Sequence, residues 1–460
     1  MSARLPRFLF FVLTLWAGGV PSPAQKLPNG LPFPNGSGFA RTYSTSGDVD
    51  MSGPFFQALG TNGRACVTCH QPSDAWSVAA EHIAARFESS DGQDPIFRTN
   101  DGSVCDHSID TSTQAGRRAA YLLLRTRGLF RISLPAPQGA EFEVLGVTNP
   151  YGCNETDTIS VYRRPLPATN LRFLSAVMWD GRESTLPSTQ PITYATNPHD
   201  LLTDLAHQSM DATMGHAQGA APTGQQQADI VAFETALSSA QWIGSRAGSL
   251  DRSGAHGGPE ALASQPFFIG VNDPLNQNPT HAPFTSVIFD LFDGWKNTGD
   301  PARASIARGQ EIFNSKPITI SGVAGLNDVT GQSQIAGTCG ICHDTPNVGN
   351  HSVPTPLNIG VSDLTNPLGT GYLPVITLRN ISTGEIARTT DPGRALISGK
   401  WSDIGKVKGP VLRGLAARAP YFHNGSAATL EDVVKFYDLR FGIGFTAQEK
   451  ADLAAFLSAL

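Results

Sequence analysis

Methionine is scarce in this 460-residue chain: the five stand at positions 1, 51, 178, 210 and 214, and none follows Met214. Cysteine is nearly as sparse at six, too few for a disulfide-dense scaffold. After the first 24 residues no apolar run is long enough to span a bilayer. A basic excess is also missing, with 33 Lys and Arg against 39 Asp and Glu. A mildly acidic chain argues against nucleic acid or an anionic membrane surface as its partner.

What stands at the start is an address. Arg4 and Arg7 open Met1 to Ala24, Phe8 to Val20 is apolar, and Ser22-Pro23-Ala24 is a small-residue cleavage site. This reads as a secretory signal cleaved near Ala24, with a retained anchor as the alternative. Cleavage leaves 31 basic residues against 39 acidic ones, and no membrane span. The expected location is the periplasm.

Two short runs organise the rest: Cys66-Val67-Thr68-Cys69-His70 and Cys339-Gly340-Ile341-Cys342-His343. C-x-x-C-H is the signature of covalent haem c attachment. One helical turn presents both sulfurs to the porphyrin edge, and the next residue turns its imidazole to the iron. A zinc half-site or a thioredoxin-like dithiol are the alternatives, but zinc wants four grouped ligands and these pairs lie far apart. The reading is two covalently bound haem c groups. Cys105 and Cys153 are then left over and, in an oxidising compartment, are expected to pair.

With 47 Gly and 33 Pro the fold should be rich in loops. Residues 25–52 lack an apolar period and read as a flexible leader. Trp76, Ala80, Ile83 and Phe87 share one helical face, with His82 off that stripe and more plausible on the surface than as a haem ligand. Residues 90–165 hold His107, both spare cysteines and a strand-like Glu141–Leu145, and read as an insertion stapled by the disulfide. Ile230, Phe233 and Leu237 mark another helix, and residues 243–285 an inter-domain stretch. Beyond Asp300, Ile306 and Phe313 lie on a short helix. Thr429 with Asp432 and Thr446 with Glu449 open two more, whose buried stripes are Leu430, Val433, Val434, Tyr437 and Leu453, Phe456, Leu457, Leu460. The expected architecture is all-α: two cytochrome c-like domains, 53–299 and 300–460, each around one haem.

Two C-x-x-C-H runs, Trp179-Asp180-Gly181-Arg182 between them, and Ala419-Pro420-Tyr421-Phe422-His423-Asn424-Gly425-Ser426 near the end form a pattern. It resembles the bacterial di-haem cytochrome c peroxidase family, which includes the di-haem maturation enzyme of methylamine dehydrogenase. The likeness runs mainly from Leu166 to the end and leaves out 90–165. It implies that Trp179 lies between the haems and relays electrons. It also implies a Gln and a carboxylate on the peroxide side of the first haem. Gln190 and Asp200 fall 11 and 21 residues after Trp179, one residue late, with His199 beside Asp200 as a substitute. Such a group carries a proton between the two peroxide oxygens.

Two departures from the family pattern matter. Family members place a Met fourteen residues after the histidine matched by His423, as a ligand of the second haem; here Tyr437 holds that spacing, as in the maturation enzyme. A phenolate stabilises oxidised iron where a thioether raises its potential, and His423 is the next ligand candidate. Family members also often hold calcium between the domains through an Asn, a Thr and a Pro carbonyl. Pro420 is kept, but Arg164 and Arg418 stand at the other two positions, so calcium is unlikely. The resemblance thus implies a peroxidase-type oxidoreductase acting on hydrogen peroxide. Its electrons would come from a small cytochrome or cupredoxin, or from a Trp or Tyr of a protein substrate, with Trp295 or Trp401 as outward relays. A non-catalytic electron-transfer cytochrome and a di-haem oxygenase acting on an apolar substrate are the alternatives.

Overall fold

The computed structural model describes residues 26–184, 197–276 and 281–460. The signal region and Gln190 lie outside the described residues. The all-α expectation is overturned: the described residues are 31% helical and 18% strand, with five sheets among them. The strands come from segments whose side chains alternate rather than recur at helical spacing. In Val375–Asn380, Ile376 and Leu378 are buried while Arg379 points outward, a period of two that suits a sheet with one covered face.

That strand is the centre of a three-stranded antiparallel sheet, with Ile386–Thr389 on one side and Phe142–Thr148 on the other. The 90–165 segment is therefore not a satellite. It gives an edge strand to the second half, and Phe142, Val147, Ile159 and Val161 form one core with Ile376, Leu378 and Leu396. A separate two-stranded antiparallel sheet, Phe130–Pro135 with Thr158–Arg163, lies in the same segment. Cys105 and Cys153 form a disulfide there.

Residues 26–50 also differ from expectation. They form strands, and Gly38–Ser44 pairs with Leu237–Gly244 in a four-stranded sheet. Ala40, Thr42 and Ser44 face inward along it. Backbone pairing at both flanks holds a segment whose composition alone gives no apolar stripe.

The helices beside the two C-x-x-C-H runs follow the sequence more closely. Trp76, Ile83 and Phe87 are fully buried along Ala80–Ser90 and its entry. Leu430–Phe441 and Ala447–Ser458 each start at the expected capping box, Thr429 with Asp432 and Thr446 with Glu449. Pro301–Ser315 packs on Ala447–Ser458, with Ile306, Phe313, Phe456 and Leu457 in one core. The crossing is close at Gly309, where a Cβ would sit 2.0 Å from the Asp452 carbonyl oxygen. Only glycine permits that approach. Trp295 is buried in this core, stacked on Phe292, and Trp401 is half-buried.

One helix escaped the sequence reading. Pro198–Gly215 runs for 18 residues between Trp179 and the helix marked by Ile230 and Phe233. Asn197 accepts from the backbone N–H of His199 and Asp200, and Pro198 occupies the first turn. An Asn-Pro start followed by Leu201 and Leu205 one turn apart is the signal that could have found it.

Candidate functional site: two cavities sharing one wall

Cys66–Cys69 forms a single helical turn and Cys339–Ile341 a 3-10 turn. Each delivers its histidine to its own cavity. The first cavity holds about 1150 Å³ of empty space counting its open mouth, and is lined by Cys69 and His70. The second holds about 1590 Å³ and is lined by Cys339, Cys342 and His343. Close-packed interiors do not keep such voids for nothing.

The histidines are held alike. His70 Nδ1 faces the Trp76 carbonyl at 2.9 Å, and His343 Nδ1 the Gly349 carbonyl at 2.6 Å. Donation from Nδ1 leaves Nε2 as the lone-pair nitrogen, the tautomer a metal ligand requires. Burial pushes both imidazoles below their ordinary pKa, which favours the neutral, ligating form.

The thiols also fit a porphyrin better than the alternatives. Burial pushes Cys66, Cys339 and Cys342 up to about 12 and Cys69 up to about 11. A redox dithiol needs the opposite shift. Among the described residues the one cluster of three metal-ligating side chains is Glu183, His207 and Asp211, which includes no cysteine. Half-buried paired thiols, a lone-pair imidazole and a large apolar void together suit haem c.

Trp179 lines both cavities, as do Arg164, Pro165, Lys408 and Pro410. Its indole N–H donates to the Arg164 carbonyl at 2.8 Å, and its own carbonyl accepts from the Lys408 backbone N–H at 2.9 Å. Its ring centroid is 5.9 Å from that of His423. Next to it, Asp180 is fully buried between Arg163 and Arg182. Burial opposes its ionisation, but the Arg182 and Arg163 guanidiniums outweigh this and hold its carboxyl below the usual range.

On the second cavity, Tyr437 and His423 both join the lining. Burial, and then the nearby Cys342 and Cys339, push the Tyr437 phenol upward. His423 Nε2 is engaged by Ser362 Oγ at 3.1 Å, and burial pulls its pKa down to about 4. On the first cavity, Asp200 and His199 are not among the lining residues. They sit at the start of Pro198–Gly215, where Asn197 Nδ2 donates to the Asp200 carboxylate at 2.8 Å. His82 is bonded to Asp74 and lies outside both linings, and His107 is likewise not in them.

The sequence reading missed several lining residues of the first cavity. Later turns of Pro198–Gly215 contribute Leu205, Gln208 and Ala212, and His216 follows it. His216 Nδ1 is 2.6 Å from Asp101 Oδ2, a histidine oriented by a carboxylate. Glu234 is buried with one carboxylate oxygen lacking a hydrogen-bond partner, and burial pushes it up to about 8. Met178 completes the set. None of these carries a local motif. Only the assembled fold brings them to one void.

Residues 408–440, which hold Lys408, His423 and Tyr437, match a family described as RoxA-like, cytochrome c-like. Curated relatives are named cytochrome-c peroxidases. IdrP2 of Denitromonas iodatirespirans is 35% identical over 27% of this chain and 36% of its own length. IdrP1 of the same organism is 44% identical over 13% of this chain and 18% of its own. Ccp of Escherichia coli strain K12 is 34% identical over 20% of each. These matches span about a third or less of the relatives' length. A solved MauG-like protein associated with microbial copper homeostasis covers 97% of this chain and 95% of its own at 16% identity, with a TM-score of 0.39. Over the matched segments, this chain is a sequence relative of the bacterial cytochrome-c peroxidases.

Proposed function

We propose that the chain is a periplasmic di-haem c-type peroxidase that reduces hydrogen peroxide. One haem would be held by Cys66, Cys69 and His70, the other by Cys339, Cys342 and His343. The observation that carries this reading is the pair of C-x-x-C-H turns, each serving its own cavity, with Trp179 common to both linings. When bound, haem supplies the iron at which peroxide is reduced and the store for the oxidising equivalents. His70 and His343 would orient the two groups, Tyr437 would complete the second, and Trp179 would carry electrons across the wall. Two sets of residues are candidates for the proton carrier at the first haem. Gln190, Asp200 and His199 are favoured by sequence spacing. His216 is favoured by its place in the lining and its Asp101 partner. Electrons would come from a small cytochrome or cupredoxin, or from a Trp or Tyr of a protein substrate, the use that a tyrosine ligand favours.

The test is a titration of the ferric holoprotein with stoichiometric peroxide, followed by UV-visible absorption and EPR. One high-spin and one low-spin haem, converted by one equivalent to a long-lived species two electrons above the resting state, is the expected result. Reaction only after partial reduction would instead mean plain peroxidase turnover without a tyrosine-stabilised store.

Two other readings have an observation each. His216 in the first lining would favour a carrier with two protein ligands on each iron, marked by two low-spin haems indifferent to peroxide. The apolar part of that lining, Leu171, Leu174, Val177 and Met178, would favour an oxygenase acting on an apolar substrate. For that reading, Asp200→Ala and His216→Ala should both leave peroxide reactivity undiminished.

A further inference from the structure

The wall between the cavities carries positive charge that the protein itself leaves unbalanced. Arg164 and Lys408 line both cavities and Arg418 lines the second. Arg164 is buried, yet its guanidinium donates only to the backbone carbonyls of Arg127 at 2.7 Å, Val78 at 2.6 Å and Arg418 at 2.9 Å. Lys408 is buried too, and Nζ donates to the Ala176 carbonyl at 2.8 Å. Arg418 donates from Nη2 to the carbonyls of Val411 and Arg413, while its buried Nε has no partner. Among the described residues none of the three forms an ion pair. The adjacent Arg163, by contrast, is paired with Asp391 and Asp180, and Arg182 with Asp180.

Burying an unpaired charge is costly, and Arg418 adds repulsion at Arg164. Burial brings Lys408 down to about 7 and Arg418 to about 10, and burial together with the neighbouring Arg418 brings Arg164 to about 9. A wall built this way needs an anion in the adjoining void. Haem carries two propionate carboxylates, so two haems bring four, and a carboxylate is the natural partner of a guanidinium.

We propose that Arg164, Lys408 and Arg418 form a cradle for the propionates of both haems. The propionate edges then face the common wall beside Trp179, and side-chain cations rather than a bound metal ion balance the charge between the haems. The inference rests on the di-haem reading above. Two of the three cations are tied to Trp179 through its indole N–H and its carbonyl. The cradle therefore aligns the propionates with the electron relay. Neutralised propionates stabilise ferric iron less, which raises both reduction potentials.

The experiment uses holoprotein carrying Lys408→Met or Arg418→Gln, with Lys408→Arg as the charge-conserving control. Haem is counted as the pyridine haemochromogen, midpoint potentials by spectroelectrochemical titration, and calcium by elemental analysis before and after EGTA. The expected result is two haems per chain, no stoichiometric calcium and potentials unmoved by EGTA. Both midpoints shift downward in Lys408→Met, the second-haem midpoint shifts downward in Arg418→Gln, and Lys408→Arg stays near the parent. If Lys408→Met does not mature, the Arg418→Gln shift against an unmoved Lys408→Arg makes the same comparison. Two haems with unchanged midpoints would overturn the cradle and leave the cations as caps on carbonyls. Stoichiometric calcium whose removal moves the midpoints would also overturn it. One haem per chain would sink the di-haem reading itself.

Discussion

The two cavities are near copies on one side and strangers on the other. His70 and His343 each use Nδ1 on a carbonyl six residues downstream. Each lies 6.2 Å from a phenylalanine ring, Phe55 at 54° and Phe313 at 55°. The remaining linings diverge. The second cavity presents Tyr437, His423, Tyr421 and Phe422; the first presents Met178, Gln208, His216 and Glu234. A C-x-x-C-H turn carries its own surroundings with it, so the attachment side repeats. The rest of each lining comes from distant elements, so the fold is free to make one differ from the other.

The largest effect should come from breaking one copy. Replacing Cys339 and Cys342 by serine is expected to lower the haem count from two to one and to cost more stability than the same change at Cys66 and Cys69. The second void is the larger and adjoins the main helical core. Haem content and thermal melts check this. Trp179→Phe should then uncouple the halves: about a tenfold or greater fall in peroxidase turnover, with both haem spectra retained. Stopped-flow and resting-state spectra separate those outcomes.

Tyr437→Phe should act on one side only, changing the EPR signal of the second haem and raising its midpoint while leaving the first untouched. Unchanged spectra would assign Tyr437 to the packing of its helix beside Phe441. Glu234 sharpens the comparison from the other side. Its folded pKa, about 8, lies above the ordinary value of 4.5 because of burial. The folded state therefore holds a proton that the unfolded chain has lost. That contribution to stability is complete below pH 4.5 and is lost as pH rises through about 8. Glu234→Gln should flatten this loss, which is on the order of a few kcal/mol at most, in melts run across that range. The smallest change is Thr446→Ala, expected to cost about 1 kcal/mol through the lost helix cap and to leave both haem spectra as they were.

How far the sequence could be read followed how local each feature is. The C-x-x-C-H turns, the capping boxes at Thr429 and Thr446 and the Ile83–Phe87 stripe are decided within a few residues, and they stand where spacing placed them. Phe142–Thr148 overlaps the strand-like Glu141–Leu145, but its partner Val375–Asn380, like the partner Leu237–Gly244 of Gly38–Ser44, lies more than 190 residues away. No window around either segment contains that partner. Asp200 shows the same limit within a site. Its spacing from Trp179 comes within one residue of the family pattern, yet it sits at the start of Pro198–Gly215, while the later turns supply the lining.

The sequence by itself determined that the chain has two C-x-x-C-H runs, a spare cysteine pair, no methionine after Met214 and a tyrosine fourteen residues after His423. These are covalent and near-neighbour properties, written in adjacent residues. The tertiary structure alone decided that Trp179, Arg164 and Lys408 form one wall for both cavities, and that His216 and Glu234 join the first. Those side chains come from segments separated by up to 244 residues, Arg164 to Lys408. Only long-range packing, which lowers the free energy through burial rather than through local geometry, can set them side by side.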